Sequence, residues 1–194
     1  MISKLSLKTA VFFSNNNIIS SEDIDAYAYG LEILISTVIN FMATIFIAMI
    51  TGEFISFTLC LIPFLSLRIN AGGYHADTHL GCVSVLTAVL LLFAAAVKLL
   101  PYTAKAALVP LFLIISSAAI IRLAPVEHPN HPLSEASGNK LRKTSLILLF
   151  VWTAVCIAFY FIMPELAFCC ASGILISAGA LIAEVLKLRH DYNK

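Results

Sequence analysis

Six long apolar blocks, at residues 31–50, 54–67, 83–100, 106–123, 146–163 and 166–188, limit this chain to very few architectures. A helix that crosses a bilayer needs about 20 mostly apolar residues, with a working range of roughly 17–25. Five of the blocks meet that range. The block at 54–67 is shorter and contains Pro63, so it is expected to be tilted, broken or re-entrant. Charge is scarce as well, at 12% of 194 residues, where soluble domains carry roughly 25%. So few charges cannot cover a water-soluble surface of this size. The sequence therefore reads as an all-α polytopic membrane protein with about six transmembrane or re-entrant helical segments. It is taken as one membrane-embedded domain over residues 1–194, with an amphipathic region at 1–30 and a helical bundle at 31–188.

The polar remainder sets the ends and the orientation. Residues 1–14 alternate apolar and basic positions in the manner of a helix lying in the membrane interface. Lys4 and Lys8 are spread along that stretch rather than gathered ahead of an apolar core, which is not the pattern of a secretory signal. The run Asn15–Asn17 favours a turn, and Ser20 with Asp23 reads as a capping box with Asp in place of Glu. With six spans and both termini inside, ten Lys and Arg residues fall in cytoplasmic segments, and only Lys98 and Lys105 fall outside. That bias sets the 68–82 and 122–145 loops on the cytoplasmic face of the cell membrane. A net charge of +1 without a dense basic cluster excludes an electrostatic grip on nucleic acid.

Chemistry concentrates in one polar interruption, RINAGGYHADTHLGC at residues 68–82. It holds His75 seven residues before Cys82, and a thiol beside a base is a potential nucleophile. The other cysteines, Cys60, Cys156, Cys169 and Cys170, lie in apolar runs, where cysteine acts as a small buried hydrophobe, and no spacing suggests disulfides. A free thiol near pKa 8.5 needs help to ionise at neutral pH. His75, Arg68 and a helix N-terminus at Cys82 are three sources of that help. In a straight helix, however, seven residues separate the pair by about 10 Å along the axis. The segment is therefore expected to turn or kink between them, with Gly72, Gly73 and Gly81 permitting the bend. Spacing alone also allows a metal-binding protein or transporter using His75, His79 and Cys82 at i, i+4 and i+7. A third reading is a scaffold that recruits a peptide without cutting it. A second polar loop, APVEHPNHPL at 124–133, has three prolines and is expected to be a stiff connector carrying Glu127, His128, Asn130 and His131.

These two loops resemble those of the accessory gene regulator B (AgrB) family of membrane cysteine peptidases. The likeness rests on Arg68, the run Gly72-Gly73-Tyr74-His75-Ala76 and Cys82, and on Ala124-Pro125, Glu127, Asn130 and Pro132-Leu133. His131 stands where the family more often has Lys or Arg. The resemblance implies cleavage of a small AgrD-like precursor peptide near its C-terminus and closure into a macrocycle for quorum sensing. It makes His75 and Cys82 the catalytic pair and gives Arg68 and Gly73 supporting roles. Asn70, Glu127 and Asn130 join them as candidates for substrate binding, for orienting His75 or for holding the oxyanion. No cofactor is implied, because exchange of one thioester for another is nearly neutral and needs no ATP. The partners implied are the precursor, the lipid bilayer and a second copy of the chain.

Overall fold

The computed structural model describes residues 2–16, 18–74, 79–126 and 135–192; a few further side chains within this range, those of His79 and Cys82 among them, lie outside the description. Every regular element among these residues is helical. Seven α-helices follow in order: α1 (Ile2–Asn15), α2 (Ile24–Thr51), α3 (Phe54–Ala71), α4 (His79–Leu99), α5 (Tyr102–Leu123), α6 (Glu135–Ile162) and α7 (Pro164–Tyr192). α2, α3, α5, α6 and α7 are long and apolar enough to cross a membrane, and α4 adds the apolar stretch Val83–Leu99. The chain is an all-α membrane protein.

Contacts divide it into two units. The first comprises Met1–Ile50 and Ala76–Leu91, the second Thr51–His75 and Leu92–Lys194. In the first unit α1 exposes Leu5, Leu7, Val11 and Phe12, as suits a helix wetted by lipid. The Ser3 hydroxyl donates to Glu32 Oε1 at 2.7 Å and ties α1 to α2. At the head of α2, Ser20 makes no side-chain cap to backbone. Its hydroxyl donates instead to Asp23 Oδ2 at 2.9 Å, so the two residues pair with each other across a single 3-10 turn. The capping box expected from the sequence is therefore not formed. An Asp side chain is one methylene shorter than Glu, so it reaches back less far to the cap residue.

The second unit is built around α7, which packs on α3, α5 and α6. About 61% of its most apolar stretch is buried, against 17% for α5 and α6, so α7 is the core and the others are its lipid-facing wall. Lipid tails give helices no hydrophobic reason to associate, so close packing of small residues has to hold them together. α7 supplies these in Ala167, Ala171, Gly173 and Ala178. A Cβ on Gly173 would run into the backbone oxygen of Cys60 and approach Pro63 Cγ to 2.9 Å, so α3 crosses α7 where a side chain is missing. Larger side chains fill the flanks. Phe57 meets Phe93 edge-on with ring centroids 5.3 Å apart, and Phe112 lies 5.8 Å from Phe168.

This packing explains α3, the helix whose continuity the sequence left in question. It runs unbroken over 18 residues, about 27 Å at 1.5 Å per residue, with Pro63 inside it. Proline removes one N–H from the ladder. Burial of its ring against Gly173 and the bond from Ser66 Oγ to Pro63 O at 3.0 Å hold the backbone in place. Trp152 Nε1 on α6 donates to that same Ser66 oxygen at 2.8 Å.

Candidate functional site

α3 ends because Gly72 follows it. Gly72 has φ +83° and ψ −167°, a region open in practice only to glycine, and its N–H closes the helix on Arg68 O at 3.1 Å. The turn is wedged from the far side. Val126, at the head of the second polar loop, donates its N–H to Ala71 O at 3.0 Å. A Cβ on Gly72 would sit 2.8 Å from Val126 O. The second polar loop thus begins, at Val126, docked on the end of α3 beside the Gly-Gly turn.

Gly73 is needed for a different neighbour. A Cβ there would collide with Arg68 Nη1, because the guanidinium folds forward over this residue. From that position Arg68 Nη2 donates to Tyr74 O at 2.6 Å, a charge-assisted bond to the last described residue before His75. Tyr74 in turn donates its N–H to Ala180 O on α7 at 2.9 Å. Its ring lies under the Lys187 ammonium, 5.7 Å from the centroid. Arg68 and Gly73, singled out in the sequence, are therefore brought together, and what they fix is main chain. Asn70 spends one of its two amide N–H donors inside α3, on Ser66 O at 2.8 Å.

The remaining candidates divide by what is described. The described part of α4 starts at His79, and the Cys82 backbone is its fourth residue. The first four N–H groups of a helix lack intrahelical partners, and the dipole there favours an anion. His75, Glu127, Asn130, His128 and His131 lie outside the described residues, as do the expected bend ahead of α4 and the side chains of His79 and Cys82. Among the described residues no three His, Cys, Asp or Glu side chains gather as a metal site. The trio proposed from spacing falls outside that set.

Sequence reading missed the contribution of α7. Ala180, Glu184 and Lys187 share one face at i, i+4 and i+7; Glu184 is 3% exposed. Two signals were available: ionisable residues closing an apolar block, and the small run Ser177-Ala178-Gly179-Ala180, which lets another backbone come close. The opposite end of the unit also went unremarked. There a cavity of about 500 Å³ is lined by Gly52, Glu53, Ser56, Lys105, Glu165 and Cys169, among others. Lys105 Nζ reaches Glu165 Oε1 at 3.1 Å across it. The four cysteines expected to be inert, Cys60, Cys156, Cys169 and Cys170, are all buried and unbridged.

The helices and the glycine turn define a class, a polytopic α-helical membrane protein that braces a turn of polar backbone at the end of one span. Comparison gives the family. The model described as accessory gene regulator B matches residues 6–182 of the 194-residue chain, and the chain belongs to that family. Membership carries a role in the accessory gene regulator system, whose B component processes a peptide precursor. No curated protein and no solved structure matches the chain.

Proposed function

We infer that this protein is a cysteine endopeptidase of the cell membrane that cuts an AgrD-like precursor and cyclises it. The observation that carries the reading is the braced turn. Arg68, Gly72 and Gly73 fix the backbone through Tyr74, directly ahead of His75, and Cys82 is the fourth residue of the described part of α4. The mechanism is acyl transfer. The Cys82 thiolate attacks a carbonyl carbon of the precursor, and the amide C–N bond breaks. His75 gives a proton to the departing amine, which leaves with the C-terminal fragment. A Cys or Ser side chain of the precursor then gives its proton to His75 and attacks the thioester carbonyl; the bond from that carbon to Cys82 Sγ breaks, releasing a thiolactone or lactone and the Cys82 thiolate. The oxyanion is held by backbone N–H groups at the start of α4, with Asn70 or Arg68 as further donors. Glu127 and Asn130 orient His75 or hold the peptide.

The first transfer is uphill, since an amide is more stable than a thioester, so removal of the released fragment draws the reaction forward. The Lys and Arg distribution supports a site and both termini on the cytoplasmic side. The amphipathic α1 is suited to collect a precursor that itself binds the membrane surface, or to pack against a second copy in a homodimer.

The test is cleavage of a precursor by the purified protein in lipid. Cys82→Ala and His75→Ala should each abolish cleavage, and mass spectrometry should find an acyl adduct on Cys82 of the intact protein. His79→Ala and chelators should leave the rate within about twofold. Loss of activity with a chelator, or with His79→Ala alone, replaces the peptidase by a metal site at His75, His79 and Cys82. A precursor that stays uncut by the unmodified protein leaves only a recruiting scaffold.

A further inference from the structure

Resting on the peptidase reading, we propose that Lys187, on the last turns of α7, is a positioning residue for the reaction, acting through Tyr74 rather than on the substrate. Tyr74 is held at three points that belong to two different helices. Its N–H is bonded to Ala180 O of α7, its carbonyl oxygen to Arg68 Nη2 of α3, and its ring lies 5.7 Å below the Lys187 ammonium. The two backbone bonds fix the peptide planes on either side of Tyr74, because the atoms of a peptide unit share one plane. The ring hangs from the Cα between those two planes, so the ammonium over its face, at a distance where a cation and an aromatic quadrupole attract, is a third anchor on the same stretch of main chain.

The covalent geometry makes this consequential. The carbonyl carbon that Arg68 holds is bonded to the His75 nitrogen, so a shift of the Tyr74 main chain is carried into the backbone of the residue that must deliver a proton. An error of about 1 Å in such a group is enough to cost about a hundredfold in rate. The register of α7 makes Lys187 the natural brace. It lies seven residues after Ala180 and so on the same face, with the buried Glu184 between them.

Steady-state cleavage of the precursor by the full-length protein in lipid vesicles tests the proposal. Lys187→Met keeps the length of the side chain and removes its charge; it should lower kcat about tenfold with KM unchanged. Lys187→Arg, which keeps a cation over the ring, should restore at least half of the wild-type kcat. In a Tyr74→Leu background the same Lys187→Met change should cost clearly less kcat than in the wild type, since the ring through which it positions the turn is gone. Wild-type kcat in Lys187→Met overturns the proposal. So does a raised KM with kcat intact, which would make Lys187 a direct contact of the peptide, or equal losses in both backgrounds. Cys82→Ala runs alongside as the control. If that variant still cleaves, the peptidase reading itself has failed; if it is dead while Lys187→Met is normal, only the positioning role has.

Discussion

The two ends of α3 do opposite things with the same kind of residue. At its head, Gly52 takes φ +72° in the turn from α2, and a Cβ there would meet nothing within 4 Å. At its foot, Gly72 takes φ +83° against Val126, and a Cβ there would clash with Val126 O at 2.8 Å. The head opens on a cavity bridged by a side-chain ion pair, Lys105 with Glu165. The foot is closed by main-chain bonds, Val126 to Ala71 and Tyr74 to Ala180, with a guanidinium laid along the turn. An ion pair between long side chains tolerates movement, because both partners have rotamers to spare. Backbone bonds do not. The foot is thus the end with the fixed main chain, which is what the proposed reaction, with its dependence on one imidazole's placement, would demand.

The sharpest way to break this comparison is to put a methyl group at both glycines. Gly72→Ala meets a forbidden backbone region and a backbone oxygen together, so we expect at least about 3 kcal/mol of lost stability. Peptide cleavage should fall to background, because Val126 and Tyr74 cannot both keep their partners. Gly52→Ala meets only the backbone penalty, about 1–2 kcal/mol, with cleavage unchanged. Unfolding in mixed micelles and the cleavage rate are the measurements. Equal losses at the two positions would mean that the wedge of Val126 against Gly72 contributes nothing.

The ion pair at the head gives an asymmetric prediction of intermediate size. The Lys105 side chain is 10% exposed and that of Glu165 49% exposed. Removing the carboxylate in Glu165→Ala leaves a buried ammonium without its partner and should cost about 2–3 kcal/mol. Removing the ammonium in Lys105→Met leaves a carboxylate that water can reach and replaces a buried charge by an apolar chain of similar size. That change should cost less than about 1 kcal/mol. Cleavage should be unaffected by either, since the pair lines the cavity at the head of α3, a helix about 27 Å long, and the glycine turn is at its foot. A loss of cleavage in Lys105→Met at full stability would show that the two ends are coupled, and the contrast between them would have to be abandoned.

How much of this was legible in the sequence depends on the length scale of the signal. The spans were legible because a bilayer imposes one period and one length, and six apolar blocks reappear as α2 to α7. The continuity of α3 was not, because what rescues Pro63 is Gly173, 110 positions away. The importance of Arg68 and Gly73 was legible as a motif, yet their physical task was not. The sequence reading offered Arg68 as a charge near the thiol; that its guanidinium binds the carbonyl of Tyr74 left no trace in the motif. Lys187 and Ala180 were invisible as partners of that turn for the same reason as Gly173. A tertiary contact between an α7 carbonyl and a loop N–H leaves no local trace, only the small residues that let the two backbones approach.

The smallest expected effect lies midway between the ends, where α6 is tied to α3. Trp152→Phe keeps most of the ring's packing and deletes the indole N–H that reaches Ser66 Oγ at 2.8 Å. The serine is not stranded, because its hydroxyl still donates to Pro63 O at 3.0 Å. Only the net worth of one hydrogen bond is lost, about 1 kcal/mol. If the foot is held by its own backbone bonds, cleavage should stay within about twofold of wild type while the unfolding midpoint falls slightly. A tenfold drop in cleavage at that small cost in stability would mean that the glycine turn takes its rigidity from the α3–α6 seam. The bonds from Val126 and Tyr74 would then be consequences of a rigid bundle rather than the source of rigidity.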